Sequence, residues 1–265
     1  MKDRGQRRRF PRNRRTVLEI IQAAKSVPAF PLETTISVTK IEAARKAAAV
    51  RIGWTAIFAK AFAKVCDEND QLRETFISLP FASLYKHPTS VCSVSVHRKD
   101  DAGADRLIWG RIENASSKSL AEIQQFLNDC VSLPLMDVYR DGLLLERTWW
   151  IVRRIAWWWI MRCSGRKKSR FIGTFSISSL GGKGCLNSLH PLITTSSIAF
   201  GPIGPDGLMR VVLICDHRVL DGMAGAVALQ SLANVMQTSI LEELGLLTNS
   251  LRCEEPVNDV RFSMA

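Results

Sequence analysis

Residues 211–229 constrain this chain more than any other stretch. An apolar run, Val211-Val212-Leu213-Ile214-Cys215, leads into Asp216-His217-Arg218-Val219-Leu220-Asp221-Gly222. A run of small residues, Met223-Ala224-Gly225-Ala226-Val227-Ala228-Leu229, follows. The apolar run reads as a strand, and the small-residue run as a helix. Asp221 stands where a helix N-cap is expected. The turn between them is therefore held by a rigid element on each side, and His217 sits on that turn. A neutral imidazole in a fixed position suits general-base chemistry near neutral pH. The plainer reading is a turn with a capping Asp221, a Gly222 chosen for its backbone and a solvated histidine.

The rest of the chain alternates strand and helix patterns. Residues 16–25 read as a helix stopped near Pro28, 35–39 as a strand, and 40–50 and 54–67 as helices. In the last of these, Trp54, Ile57, Phe58, Ala61, Phe62 and Val65 recur at helical spacing and mark a core face. Residues 91–97 and 106–112 form strands around a turn at 99–105, whose aspartates are explained by turn chemistry rather than by a cation. Ser119 and Glu122 have the spacing of a capping box that opens a helix to about residue 130. Strands are expected at 171–179 and 208–215, with a glycine turn at 181–184, a tight hairpin at 201–207 and a final helix from Asp221 to about residue 239. Together these give an α+β fold, a two-layer sandwich of mixed β-sheet and helices.

Composition narrows the chemistry. Seven scattered cysteines with no Cys-x-x-Cys pair, and four histidines without ligand spacing, predict no metal and no disulfide framework, and fit a cytoplasmic protein. His190 could line a site or fill a core or interface position, and His87 and His97 show no partner pattern. Of the net charge of +11, residues 1–15 contribute +7. Such an arm suits a solvated tail, a nucleic-acid or anionic-membrane contact, or an organellar transit peptide. Residues 133–170 hold five of the seven tryptophans among many arginines. They read as a helical segment whose arginines fall mostly on one side, Arg153 excepted. It suits packing on a neighbouring subunit, walling an acyl or acceptor pocket, or weak contact of 147–170 with anionic lipid.

The His-x-x-x-Asp-Gly pattern of His217, Asp221 and Gly222 resembles the signature of coenzyme A-dependent acyltransferases built like chloramphenicol acetyltransferase. With Asp216 and Arg218 beside it, it is most similar to the catalytic domain of the 2-oxoacid dehydrogenase (dihydrolipoamide) acyltransferases. Three further segments match in order. Gly173-Thr174-Phe175-Ser176-Ile177-Ser178-Ser179-Leu180-Gly181 resembles the family's Gly-Thr-Phe-Thr-Ile-Ser-Asn-Leu-Gly. Residues 112–123 resemble its Arg-Asn-Ala-Asp-x-Lys-x-Leu-x-Glu-Ile stretch, and Arg14-Arg15-Thr16-Val17 its Arg-Arg-x-Ile start. The resemblance spans residues 13–245. It implies a basic disordered arm (1–12), a catalytic domain (13–245, with 133–170 as an insertion) and a polar tail (246–265).

The resemblance also implies roles. His217 would be the general base, Ser178 the donor to the tetrahedral oxyanion, and Asp221 a support paired with Arg14 or Arg15. Asp216 and Gly222 would shape the turn. Coenzyme A would be present as the acyl-CoA substrate, with no metal and no covalently bound lipoate. The active site would lie at the interface of a homotrimer that does not extend into a cage. The acceptor would be a thiol, hydroxyl or amine. One alternative is a core acting on lipoyl domains supplied in trans. Another is a non-catalytic trimeric scaffold that binds membrane or nucleic acid. The stretch between Ser178 and His217 is shorter than the family's, and residues 133–170 depart from it.

Overall fold

The computed structural model describes residues 5–100 and 103–249. The start of the basic arm and the tail from residue 250 lie outside the described residues. Residues 5–11 are exposed and carry no regular secondary structure. Helix α1 (Arg15–Ala24) leads into strand β1 (Ala29–Ser37) and helices α2 (Thr39–Ala47) and α3 (Trp54–Glu68). A small hairpin, β2 (Glu74–Ile77) and β3 (Ser83–Lys86), precedes a long one, β4 (Val91–Lys99) and β5 (Asp105–Glu113). Five helices follow: α4 (Leu120–Ser132), α5 (Leu135–Val138), α6 (Arg140–Arg147), α7 (Trp150–Cys163) and α8 (Gly165–Ile172). Strands β6 (Phe175–Ser179), β7 (Ser196–Ile203) and β8 (Leu208–Asp216) lead to α9 (Gly222–Val235) and α10 (Leu241–Asn249).

Six strands form one mixed sheet in the order β1-β8-β7-β6-β4-β5. The pairs β4/β6 and β6/β7 are parallel and the rest antiparallel. The expected α+β sandwich is therefore the observed architecture. Helix α3 lies on one face because its apolar residues wrap most of its surface, and ten of its residues are buried. Phe58 stacks on Phe200 at 4.3 Å, and Phe62 meets Phe175 edge-on at 5.0 Å. Lys60 is buried on this helix and is paired with Glu243 of α10, as a buried charge must be. The capping box at Ser119 and Glu122 is present, with both reciprocal bonds.

Several boundaries differ from the sequence reading. Strand β1 begins at Ala29 rather than near residue 35, and it pairs with β8 from Ala29↔Asp216 to Ser37↔Leu208. Pro28 and Pro31 suggest a break, but β1 is an edge strand, where proline is tolerated. The expected strand at 171–179 begins only at Phe175. Helix α8 runs on to Ile172 and stops at Gly173, whose φ of +105° suits glycine. The expected final helix does not end at residue 239. A π-helical turn at Met236–Ile240 carries it into α10, because Ile240 and Leu244 still face the core.

The insertion at 133–170 is four helices rather than one amphipathic stretch. Arg153 breaks its polar side because it points inward. It is buried, and its Nε donates to Glu19 of α1 at 3.2 Å. Glu146 of α6 accepts from Arg106 of β5 at 2.7 Å and from Thr16 of α1 at 3.1 Å. No helix among the described residues is long and apolar enough to cross a membrane.

Candidate functional site

The turn that carries His217 is built around one buried carboxylate. Asp216 ends β8 and is 1% exposed. Its Oδ1 accepts from the Arg218 backbone N–H at 3.1 Å and from Arg218 Nε at 2.8 Å, and its Oδ2 accepts from Nη2 at 2.6 Å. This forked, charge-assisted pair gives position as well as energy. The guanidinium also lies 4.6 Å over the Phe76 ring and donates from Nη1 to the Ser26 carbonyl at 3.2 Å. The Asp216 carbonyl accepts from Val219 and Leu220, which closes the turn. His217 donates its backbone N–H to Pro28 at 3.0 Å, and its ring rests against Phe30 with centroids 4.6 Å apart. The imidazole is thus held from behind and exposed in front.

Asp221 caps α9. Its side chain accepts from the Ala224 backbone N–H at 2.8 Å, and the residue is exposed. The expected pairing of Asp221 with Arg14 or Arg15 is not formed among the described residues; Asp221 Oδ1 caps α9, and Arg14 is exposed at the start of α1. Support of the turn comes instead from Arg218, through Asp216. Gly222 is not required by its backbone either. Its φ lies outside the left-handed region, and a Cβ there would meet nothing within 4 Å. Replacing Asp221 by alanine should cost about 1 kcal/mol, whereas Asp221→Asn should keep most of the cap. Urea midpoints for both variants decide this, and an alanine variant as stable as the parent would remove the capping role.

Ser178 lies on β6, facing away from α3. Phe175 and Ile177 point into the helix-covered core, so Ser176 and Ser178 share the opposite face. Ser178 is half-buried there, and its neighbours form a hydroxyl cluster. Ser176 Oγ donates to Ser197 Oγ at 2.7 Å, and Ser197 Oγ lies 2.8 Å from His190 Nε2. Burial lowers the pKa of His190, and its Nδ1 is buried without a partner among the described residues. The sequence reading left His190 open; the structure ties it to this cluster. The period-2 serines of β6 were the available signal, but the partner Ser197 lies on another strand.

One chain does not bring Ser178 and His217 together. The register aligns Ser178 with Ala199, and Ala199 with Val212. His217 lies five residues further along β8. At about 3.3 Å per residue and about 4.8 Å per strand spacing, their backbones are about 19 Å apart. Ser178 is level with the middle of β8, and His217 lies just past its end.

Behind the turn, Lys168 of α8 is 2% exposed. Its Nζ donates to the Phe76 carbonyl at 3.4 Å. Burial pulls its pKa down to about 8; the Asp216 carboxylate opposes this, and Arg218 adds to it. The folded value lies below the unfolded one. Between pH 8 and the ordinary value near 10.5 the unfolded chain holds a proton that the folded chain has lost, so stability rises with pH in that window. Below pH 8 the burial cost is fully present, on the order of 3 kcal/mol. Lys168→Met should therefore be more stable than the parent at pH 7, with the gap narrowing above pH 8. Urea midpoints from pH 7 to 10 measure it, and a gap independent of pH would contradict it.

No family model matches the chain, and neither does any curated protein. Solved structures do. A truncated catalytic core of the 2-oxoacid dehydrogenase multienzyme complex from Thermoplasma acidophilum aligns at 16% identity, with a TM-score of 0.63. The alignment covers 88% of this chain and 99% of that one. The dihydrolipoamide acetyltransferase of Azotobacter vinelandii aligns at 19% identity and a TM-score of 0.62, covering 89% and 95%. That enzyme was studied for the roles of a serine, a histidine and an asparagine in its catalytic mechanism, the asparagine standing four positions after the histidine. The chain therefore has the fold of the catalytic cores of the 2-oxoacid dehydrogenase acyltransferases.

Proposed function

We propose that the protein is an acyltransferase that moves an acyl group between coenzyme A and a thiol, hydroxyl or amine acceptor. His217 takes the proton from the attacking group as it adds to the thioester carbonyl. Ser178 donates to the oxyanion that forms, and collapse of the tetrahedral intermediate expels the thiolate. The observation that carries this reading is the forked Asp216–Arg218 pair, which aims His217 outward from a rigid turn. Asp221 stands four positions after His217, the spacing of histidine and asparagine in the Azotobacter enzyme.

The separation of about 19 Å along the register supports a site assembled between copies, with His217 from one and Ser178 from the next. A closed trimer meets that need, since each copy presents the His217 turn to one neighbour and the Ser178 face to the other. A mass-resolved sizing run showing a monomer would remove this arrangement. The direct test of the function is release of coenzyme A from a panel of acyl-CoAs, with and without dihydrolipoamide. Release that requires dihydrolipoamide selects a core served by lipoyl domains in trans. Release with another acceptor selects a stand-alone enzyme. Absence of any His217-dependent turnover across donors and acceptors overturns the proposal.

A further inference from the structure

Two chambers lie along the contact between α1 and the inserted helices. The larger, about 620 Å³, is lined by Lys25, Arg154, Arg162, Lys168 and Arg218, with Glu19 as its single acidic residue. Glu19 is already engaged by Arg153. The chamber therefore carries a surplus of positive charge. Lys168 at its wall has three donors but, among the described residues, one acceptor, the Phe76 carbonyl at 3.4 Å. The smaller chamber, about 250 Å³, is lined chiefly by Ile20, Trp109, Tyr139, Ile160, Phe171 and Ile193. It opens over the sheet face that carries Ser178, since Trp109 pairs with Ser95 in the register.

Three helices contribute to both chambers from positions within one turn of each other. Helix α1 gives Ile20 to one and Glu19 to the other, α7 gives Ile160 and Arg162, and α8 gives Phe171 and Lys168. Trp157 lines both. Its Nε1 is buried and has no hydrogen-bond partner among the described residues. A buried indole donor left unpaired costs free energy that an acceptor on a ligand would recover. Cationic donors on one side of this residue and an apolar chamber on the other match a molecule with a charged head and a hydrocarbon chain.

We propose that the inserted helices form a binding site for an amphipathic anion, with its phosphate or carboxylate head at Lys168, Arg154 and Arg162 and its alkyl chain in the chamber of Trp109 and Phe171. Trp157 Nε1 donates to the head at the junction. A water-sized group takes about 30 Å³, so the smaller chamber holds a chain of on the order of eight carbons. The site stands on the chambers alone and does not depend on the acyl-transfer reading. The ligand is a free lipid anion, a fatty acid or an alkyl phosphate, in which the charged head sits directly on the chain as the shared Trp157 requires.

The test is calorimetric titration of the full chain with octyl phosphate, octanol and inorganic phosphate. Octyl phosphate should bind at least ~10-fold more tightly than either of the others, since each half satisfies one chamber. Arg154→Gln with Arg162→Gln should weaken octyl phosphate by ~10-fold or more and leave octanol unchanged; both arginines are exposed, so folding is not at risk. Ile160→Trp, which fills the apolar chamber, should weaken octyl phosphate and leave inorganic phosphate unchanged. Thermal midpoints check that each variant is folded. Displacement of octyl phosphate by octanoate shows that a carboxylate head suffices and identifies a fatty acid, and failure to displace identifies an alkyl phosphate. Equal affinity for octanol and octyl phosphate, no binding at millimolar ligand, or binding untouched by the variants overturns the proposal.

Discussion

His217→Ala is expected to lower the release of coenzyme A by at least ~100-fold while leaving the fold intact, the usual range for removing a positioned general base. The side chain is exposed and packs on Phe30 at the surface, so its removal opens no core cavity. The turn itself is held by Asp216 and Arg218, which the variant keeps. The measurement is turnover with the best acyl donor and acceptor beside an unfolding curve. A variant with unchanged stability and unchanged turnover would assign His217 no part in the chemistry. Ser178→Ala should cost about 10²–10³ in turnover, the range for one oxyanion donor.

The second large effect comes from mixing these two variants. Each is inactive alone, yet a site that takes its histidine from one copy and its serine from the next is complete in some mixed trimers. With random assembly, about a quarter of the sites pair a Ser178→Ala chain that supplies His217 with a His217→Ala chain that supplies Ser178. Co-expression should therefore restore about a quarter of the parent turnover, far above the sum of the two variants. The separation of about 19 Å between these residues within one chain makes the experiment decisive. Were both groups drawn from the same chain, no mixture would recover activity.

The sequence made some of this legible and hid the rest for identifiable reasons. The strand, turn and capped helix around His217 were readable because each carries a local signal: the run 211–215, the Asp221 cap and the small residues of α9. The core stripe of α3 was readable from its period. Strand β1 was under-read because proline's meaning depends on whether a strand is an edge, and that is set by distant pairing. The hairpin of β2 and β3 is only four residues per strand, too short for a period to show in the sequence. At the site, the fork of Arg218 on Asp216 was missed although they are two residues apart, because nothing local says which carboxylate will be buried. The expected partnership of Asp221 with Arg14 or Arg15 is absent among the described residues, where the Ala224 N–H holds Asp221 Oδ1. The distance between Ser178 and His217 could be known only once the strand order was known.

Pro31 on β1 has a further consequence. The bond from His217 N–H to the Pro28 carbonyl fixes Pro28 and His217 as a hydrogen-bonded pair, so Pro31 opposite Ile214 is a pair without ladder bonds. The nitrogen of Pro31 therefore faces the free side of the sheet, and there it has no proton to give. A strand from another molecule approaching that side finds a gap in the row of donors and a pyrrolidine ring in its path. Fibre-like growth by adding strands is blocked at this rim, and copies of the chain are left to meet through turns, helices and the serine-bearing face instead.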